Sequence, residues 1–398
     1  MRVLITTFTY HPNKDGVAIA SIELAEGLAS NGWDVTVATA LEDQPGNAVI
    51  NGVKVIRFDF NRGGFNFDSA SEPADDYRKF VLNGNFDVLV SQCWEVWSTV
   101  CLLPIVDSLN AKRVLVSHGF RMHVYHWYPK FAFGFLSWIK KLVLMAKILP
   151  KIISCYDSFV VLSTKKDFRN FFDHWLLQLV QPSKIRIIPN AVNLNLFSDD
   201  DSSFRAFYNL DKDKIVLSVA NYCDRKNQAL SLRAFRKANV PNSAMVFIGS
   251  DFNDYSESLI RLDKKLEAQY PNGKTLILQG ITRDETFSAY KACDVFLLTA
   301  RSETQPIVII EAMAAGKPWV STDTGCVKAM TGGLVGKTES QLVRIIQNYL
   351  SNENFRHDMG MKGKKAATEQ HGQALYLERY EHLLKNLLGV AYRNEFSL

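Results

Sequence analysis

Two glutamates in one short segment are the side chains best suited to chemistry. Glu303 and Glu311 stand at the ends of the sequence Glu-Thr-Gln-Pro-Ile-Val-Ile-Ile-Glu, which follows the apolar run at 295–298. Pro306 suits the first turn of a helix that runs to residue 315, and Gly316 suits its end. With Glu303 in the loop and Glu311 in the helix, the carboxylates are expected about 8–12 Å apart.

That separation is wider than the ~5–5.5 Å between the two carboxylates of a retaining glycosidase. It suits a ligand with two hydroxyl-rich ends, a sugar and a ribose, with a diphosphate between them. Backbone N–H groups at the helix start would face the diphosphate. Taken alone, each glutamate is more simply interpreted as an ordinary solvated side chain.

The elements that would position these residues follow a repeated alternation of strand and helix. Residues 19–30 have the clearest helical period, and Asn31-Gly32 supplies the stop. Short runs rich in β-branched residues predict strands at 3–7, 34–39, 53–58, 86–91, 113–117, 158–162, 184–188, 215–220, 244–249, 275–279, 295–298 and 319–321. The alternation predicts an α/β protein with two Rossmann-like domains built on parallel sheets.

A polar stretch at 189–203 marks the predicted domain linker. The prediction is one domain over 1–190 and a second over 191–372. A C-terminal helix within 373–398 is expected to pack back on the first domain.

The composition is that of a globular protein, with 398 residues, 47% hydrophobic and 22% charged, and a net charge of +5. The six cysteines form no C-x-x-C pair, so neither a zinc site nor a disulfide framework is predicted. A reducing, cytoplasmic compartment fits. The N-terminal apolar run is too short for a signal peptide, and no stretch suits a transmembrane helix.

Several motifs occur in the order found in one enzyme family. Glu303 to Glu311 resembles an E-x7-E motif, and the remaining matches are at 16–37, 117–119, 160–163, 188–197, 216–226, 246–249 and 279–280. Together they resemble glycosyltransferase family 4 over roughly residues 1–380. The resemblance implies the GT-B architecture, in which two Rossmann-like domains face each other across a cleft. It further implies that the domain over 1–190 is the acceptor-side domain and that the domain over 191–372 binds the nucleotide sugar.

The resemblance assigns three residues to catalysis. Glu303 would accept hydrogen bonds from donor-sugar hydroxyls. Lys226 would neutralise the diphosphate as negative charge develops on the leaving group. His118 would contact the donor sugar near the reacting carbon.

The resemblance also assigns a set of donor contacts. Glu311 would hold the ribose hydroxyls, and Gly16 would let the backbone approach the phosphates. The residues expected to bind the nucleotide sugar are Gly16, Asn221, Arg225, Lys226, Thr304, Gln305, Pro306, Ile307 and Glu311.

Three departures from the family pattern weaken the expected phosphate contacts. Asp15 replaces a glycine before Gly16, and its carboxylate is expected to point away from a phosphate. Asn221 replaces an arginine, for which Arg225 is the candidate substitute. Thr304-Gln305-Pro306 replaces the commoner Gly-Phe-Gly.

The resemblance implies a retaining glycosyltransferase of the hexosyltransferase type. It would move a hexose or N-acetylhexosamine from a nucleoside-diphosphate sugar to a glycan or lipid-linked glycan, in cell-surface polysaccharide or glycolipid synthesis. No metal and no cofactor are expected, and the departing phosphate would take the acceptor proton. Two alternatives stay open: a non-catalytic binding subunit, and a sugar-nucleotide 2-epimerase of the same fold.

A basic and aromatic segment has a separate interpretation. No acidic residue lies between Asp107 and Asp157, and the segment carries Trp127, Trp138, Lys140, Lys141 and Lys147. Such a segment is typical of peripheral binding to an anionic membrane, here the inner face of the cell membrane. A helical insertion packed on the first domain is an equal alternative. A nucleic-acid partner is not expected.

Overall fold

The computed structural model describes residues 1–41, 46–60, 68–120, 146–166, 171–198 and 203–390. The chain divides into two compact units. The first consists of Met1–Asn190 together with the chain from Gln373 onward, and the second is Ala191–Gly372.

The described part of the first unit is built on an eight-stranded sheet in the order β3-β4-β2-β1-β5-β6-β7-β8. Every neighbouring pair is parallel except β3 and β4. The strands are β1 (Arg2–Thr6), β2 (Asp34–Ala40), β3 (Ala48–Ile50), β4 (Val53–Phe58), β5 (Val88–Gln92), β6 (Lys112–Ser117), β7 (Ser158–Val161) and β8 (Ile185–Ile187).

The antiparallel strand β3 corrects the expectation of a wholly parallel sheet. β3 and β4 form a hairpin joined by Asn51 and Gly52, whose φ angles are 48° and 83°. An Asn-Gly pair with both φ angles positive is the typical two-residue hairpin turn. The dipeptide was therefore a usable sequence signal, but β3 is too short to show a strand pattern of its own.

Helices cover the sheet of the first unit. They are α1 (Gly16–Ser30), α2 (Glu72–Asn83), α3 (Trp97–Val100), α4 (described over 146–155), α5 (Phe172–Val180) and the C-terminal helix α13 (Gln373–Leu387).

The helix α13 packs against α1. A Cβ atom on Gly27 would lie 2.4 Å from Cδ2 of Leu377, so the absence of a side chain at this position allows the two helices to approach closely. At the end of α1, the side chains of Asn31 and Trp33 donate to Oε1 of Glu381 at 2.8 and 3.3 Å. Contacts across more than three hundred residues thus tie the end of the chain to its beginning.

The described part of the second unit contains a six-stranded sheet in the order β11-β10-β9-β12-β13-β14, with every pair parallel. Its elements are α6 (Ser203–Phe207), β9 (Lys214–Val219), α7 (Gln228–Ala238), β10 (Ser243–Gly249), α8 (Asp254–Glu267), β11 (Lys274–Gln279), α9 (Arg283–Ala292), β12 (Val295–Leu298), α10 (Ile307–Ala314), β13 (Trp319–Ser321), β14 (Gly333–Val335), α11 (Glu339–Ser351) and α12 (Glu353–His371).

The central strands β9 and β12 are hydrogen-bonded neighbours, with Val216 opposite Val295 and Leu217 opposite Phe296. Because the two strands are parallel, the loops that follow them leave from the same edge of the sheet. Ligands of open α/β sheets bind at this carboxyl edge. The loops at 220–227 and 299–306 are therefore the ones placed to form a site.

Candidate functional site

The two loops bring Lys226 and Glu303 into direct contact. Nζ of Lys226 lies 2.6 Å from Oε1 of Glu303, and the side chains are 16% and 11% exposed. Nη1 of the more exposed Arg225 lies 3.5 Å from the same carboxylate oxygen and donates to the carbonyl of Ser302 at 3.1 Å. Two cations therefore converge on one carboxylate. The carboxylate of Glu303 can accept hydrogen bonds from hydroxyl groups, and the two cations beside it can attract an anion.

The loop at 322–326 is hydrogen-bonded to the backbone of Glu303 and Thr304. The backbone N–H of Glu303 donates to Oγ1 of Thr324 at 2.9 Å, and the N–H of Cys326 donates to the carbonyl of Thr304 at 2.9 Å. Between them, Gly325 has a φ of +50°, and a Cβ there would lie 2.2 Å from the carbonyl oxygen of Thr304. Only glycine fits this position. Sequence reasoning missed Gly325, although a glycine in the loop after β13 is a typical turn signal.

The helix α10 begins directly after Pro306, which was expected in its first turn, and ends at Ala314, one residue before the predicted end. Pro306 is its N-cap, with a φ of −73°, and it contributes no side-chain hydrogen bond to the first turn. Gln305, Pro306 and Ile307 are buried, while Thr304 is partly exposed. At the other end Gly316 has a φ of +70°, as its predicted role as a helix stop requires.

Glu311 lies in the interior of the second unit and is paired. Its side chain is 1% exposed and forms an ion pair with Nη2 of Arg283, the first residue of α9. The guanidinium carbon of Arg283 lies 4.4 Å from the ring centroid of Phe287. Oε2 of Glu311 has no hydrogen-bond partner among the described residues. Sequence reasoning identified Glu311 but missed Arg283.

Asn221 follows β9 and is exposed. Its Oδ1 accepts a hydrogen bond from Oγ of Ser250 at 3.2 Å, and its carbonyl accepts from Nε2 of Gln228 at 3.0 Å. The position thus carries no charge. The additional cation beside Glu303 comes from Arg225, four residues further along the chain.

In the first unit, Asp15 lies at the start of α1. It caps α1: Oδ1 accepts from the N–H groups of Val17 and Ala18 at 3.0 and 3.2 Å, and Thr9 Oγ1 donates to Oδ2 at 2.7 Å. The first-turn N–H groups provide the reason, because they favour a nearby carboxylate. Gly16 begins the helix, and a Cβ there would meet no atom within 4 Å. The fold itself therefore does not require glycine at position 16.

His118 follows β6 at the carboxyl edge of the first sheet. Its Nε2 lies 2.7 Å from Oε1 of Gln92 at the end of β5. Because that oxygen can only accept, Nε2 carries the hydrogen and Nδ1 is the acceptor of the ring. Burial lowers the pKa of His118 to about 4, so the ring is neutral at physiological pH.

The basic segment is only partly described. Trp127, Trp138, Lys140 and Lys141 lie outside the described residues. Lys147 is exposed on α4, and Lys151 on the same helix pairs with Asp107. None of the helices in the described ranges is long and apolar enough to cross a membrane. The described ranges also contain no cluster of three His, Cys, Asp or Glu side chains able to hold a metal ion.

Two family profiles match nearly the whole chain. The profile for glycosyltransferase family 4 matches residues 14–196, and the profile for glycosyl transferases group 1 matches residues 200–366. An uncharacterized glycosyltransferase of Methanocaldococcus jannaschii, MJ1607, is 25% identical over 395 residues, which cover 93% of this chain and 94% of the relative.

Two further matches are more distant in sequence. The alpha-monoglucosyldiacylglycerol synthase of Streptococcus pneumoniae is 22% identical over 81% of this chain and 71% of the relative. The crystal structure of Anabaena HepE in complex with UDP-glucose superimposes with a TM-score of 0.72 at 14% identity, over 97% of this chain and 100% of HepE.

Proposed function

Because this chain belongs to glycosyltransferase family 4 and has the GT-B fold, we propose that it moves a hexose or N-acetylhexosamine from a nucleoside-diphosphate sugar to a glycan or lipid-linked glycan, with retention of configuration. The observation that carries the proposal is the contact between Lys226 and Glu303 at the carboxyl edge of the second sheet. A family profile identifies a class of protein, whereas this contact supports the assignment of Glu303 to the donor sugar and of Lys226 to the diphosphate.

The donor would lie with its diphosphate at Lys226 and its sugar at Glu303. As the bond to the anomeric carbon breaks, negative charge grows on the departing phosphate, and a fixed cation stabilises that charge most in the transition state. Arg225 supplies a second cation within 3.5 Å of Glu303, which compensates for the uncharged Asn221. This arrangement needs no divalent metal, because protein cations neutralise the leaving group.

His118 would serve the transferred sugar as a neutral hydrogen-bonding group. Since its ring is uncharged, it adds no repulsion to the positive charge that develops at the anomeric carbon. The departing phosphate would accept the proton of the attacking hydroxyl on the same face of the sugar.

A lipid-linked acceptor is supported by the chemistry of the basic segment. Lysines beside aromatic residues suit an anionic lipid surface at the inner face of the cell membrane. The pneumococcal relative is by name a synthase of a glucosylated diacylglycerol. Charge reversal of Lys140, Lys141 and Lys147 should abolish binding to vesicles containing phosphatidylglycerol, and unchanged binding would refute membrane association.

Calorimetric titration with UDP, GDP, ADP and their common sugar conjugates, with and without EDTA, tests the proposal. Clear binding of one nucleotide that EDTA does not change is expected, and Lys226→Met should weaken it strongly. Absence of binding by every nucleotide would favour a non-catalytic subunit, for which the uncharged Asn221 is the specific structural argument. Binding that EDTA abolishes would refute metal independence.

A further inference from the structure

The turn that carries His118 is anchored through the hydroxyl of Ser117, the last residue of β6. Nε1 of Trp94 and the backbone N–H of Gly119 donate to Oγ of Ser117 at 2.8 and 3.3 Å. Because both groups can only donate, the hydroxyl accepts from both and donates its own hydrogen to a third group. That group is Oδ2 of Asp173 on α5. The direction of all three hydrogen bonds at Ser117 is therefore fixed.

Aromatic packing holds the other end of the same turn. The ring of Phe120, two residues after His118, packs against Phe172 with the ring centroids 5.5 Å apart. Phe172 directly precedes Asp173, so consecutive residues of α5 hold the chain on both sides of His118. Between the two anchors, Gly119 has a φ of +93°, a conformation that favours glycine.

The side chain of His118 is held from a different element. Its Nε2 lies 2.7 Å from Oε1 of Gln92 at the end of β5. The next residue, Cys93, donates its N–H to the carbonyl of Val116 on β6 at 2.9 Å, which ties the ends of the two strands together. The ring of His118 is thus held from β5 and its backbone from α5, so the position of Nδ1 depends on both contacts.

Asp173 lies in an environment that is unfavourable for a carboxylate. The residue is 5% exposed, and burial raises the pKa of its carboxyl group, while the hydrogen bond from Ser117 lowers that pKa. An apolar side chain at this position would be buried without the cost of removing a charge from water. The hydrogen bond to Ser117 is therefore the specific contribution of an acidic residue at position 173.

We propose that Asp173 is a positioning residue for His118: by accepting from Ser117, it fixes the turn that presents the imidazole to the transferred sugar. The inference rests on the proposed function, in which His118 serves that sugar, and extends it to a buried residue of α5. A displacement of about 1 Å at the reacting centre can cost about 100-fold in rate. Loss of the Asp173 carboxyl group should therefore lower kcat by about 10- to 100-fold and leave nucleotide affinity unchanged.

The test is a double-variant cycle in the full chain. Asp173→Ala is made in the wild type and in His118→Ala, and kcat is measured as release of nucleoside diphosphate from whichever UDP, GDP or ADP sugar binds best. Asp173→Ala should lower kcat in the wild type and cause no further loss in His118→Ala. Asp173→Asn keeps an acceptor oxygen for Ser117 and should restore most of the activity.

Asp157→Ala is the matched control. Oδ2 of Asp157 accepts from the N–H of Arg113 at 2.7 Å, near the opposite end of β6. NMR of the His118 imidazole provides a readout that does not depend on turnover. The Cε1–H signal should shift in Asp173→Ala and keep its wild-type position in Asp157→Ala, even if both variants lose stability. Thermal unfolding of each variant identifies a general loss of structure.

Two results overturn the inference and leave the proposed function standing. One is an equal loss of kcat from Asp173→Ala with and without His118, and the other is an unchanged His118 signal in Asp173→Ala. If Asp173→Ala fails to fold, Ser117→Ala removes the same hydrogen bond and provides the same comparison. A wild-type kcat in His118→Ala would instead contradict the role of His118 in the proposed function, and absence of nucleotide binding would contradict that function itself.

Discussion

The ammonium of Lys226 and the carboxylate of Glu303 meet at 2.6 Å although the residues are 77 positions apart. The contact exists because β9 and β12 are adjacent parallel strands, so the loops after them share one edge of the sheet. Each side chain holds the other in place. A sugar bound to Glu303 would therefore have its phosphate beside a cation that is already in place, which is the preorganisation that stabilises a developing charge.

Replacing Glu303 with Gln should separate catalysis from nucleotide binding. The variant loses a charged acceptor for sugar hydroxyls, so kcat should fall by about 10- to 100-fold or more. Nucleoside-diphosphate affinity should stay the same or rise, because Lys226 loses its carboxylate partner. Steady-state kinetics and calorimetry measure the two quantities. Glu339→Gln, which removes a carboxylate paired with Arg233 and Lys237, is the control. Equal losses of kcat and nucleotide affinity would contradict the assignment of Glu303 to the sugar.

Asn221→Arg should strengthen binding of the nucleoside diphosphate. The residue is exposed and its side chain is held only by a 3.2 Å contact with Ser250 among the bonds described, so a longer side chain can be accommodated. A new charge-assisted contact to phosphate should tighten binding by about 10-fold and make it more sensitive to salt. Asn221→Gln adds length without charge and should change neither. No gain for the arginine variant would place position 221 away from the phosphates.

Asp15 should act through stability, because its oxygens are taken by Val17, Ala18 and Thr9. Asp15→Ala removes the cap of α1 and should lower the free energy of unfolding by about 1 kcal/mol. Asp15→Asn keeps a capping oxygen and should be close to the wild type. Urea unfolding measures both variants. Nucleotide affinity should be unchanged in each, and a tighter complex with Asp15→Asn would show instead that the carboxylate repels the donor.

The sequence was sufficient to predict most of the described strands and to single out three charged residues, because both leave local signals. Short β-branched runs predicted most strands, and the ordered motifs predicted Lys226, Glu303 and Glu311. The partners of these residues have no such signal. Arg283 is one cation at a helix start, and only the folded chain places it on Glu311. β14 is three residues long and begins with Gly333, so it lacks a readable strand pattern. Both features depend on contacts between residues that are far apart in the sequence.

Gly325→Ala should disturb the site through the backbone of Glu303 and Thr304. The φ of +50° is unfavourable for alanine, and the new Cβ would lie 2.2 and 2.6 Å from the two carbonyl oxygens. A cost of about 1–3 kcal/mol in stability is expected, with a loss of kcat as the loop moves. Gly46→Ala, where an added Cβ meets nothing within 4 Å, is the control. Thermal unfolding measures the loss of stability and steady-state kinetics measures kcat. An unchanged kcat would show that activity tolerates a displacement of the Glu303 backbone.

His118 should give the protein a pH-dependent stability component with a defined direction. Burial lowers its pKa from 6.5 to about 4 in the folded chain. As the pH falls below 6.5, the unfolded imidazole takes up a proton that the folded ring refuses until about pH 4. His118 therefore makes its full contribution to the free energy of unfolding above pH 6.5, and this contribution is lost progressively as the pH falls towards 4. Urea unfolding at several pH values across this window should show the decline.

His118→Gln isolates this component, because the amide can still bond to Gln92 and all other histidines remain. The variant should lose less stability than the wild type between pH 6.5 and pH 4. NMR titration of the imidazole Cε1–H signal measures the pKa directly. A midpoint near 6.5 would mean that the ring is solvated and charged in mild acid. The charged ring would then repel the positive charge that develops at the anomeric carbon of the sugar. A midpoint near 4 would keep the ring neutral wherever the enzyme works, so that His118 adds no inflection to the kcat/KM profile above pH 5.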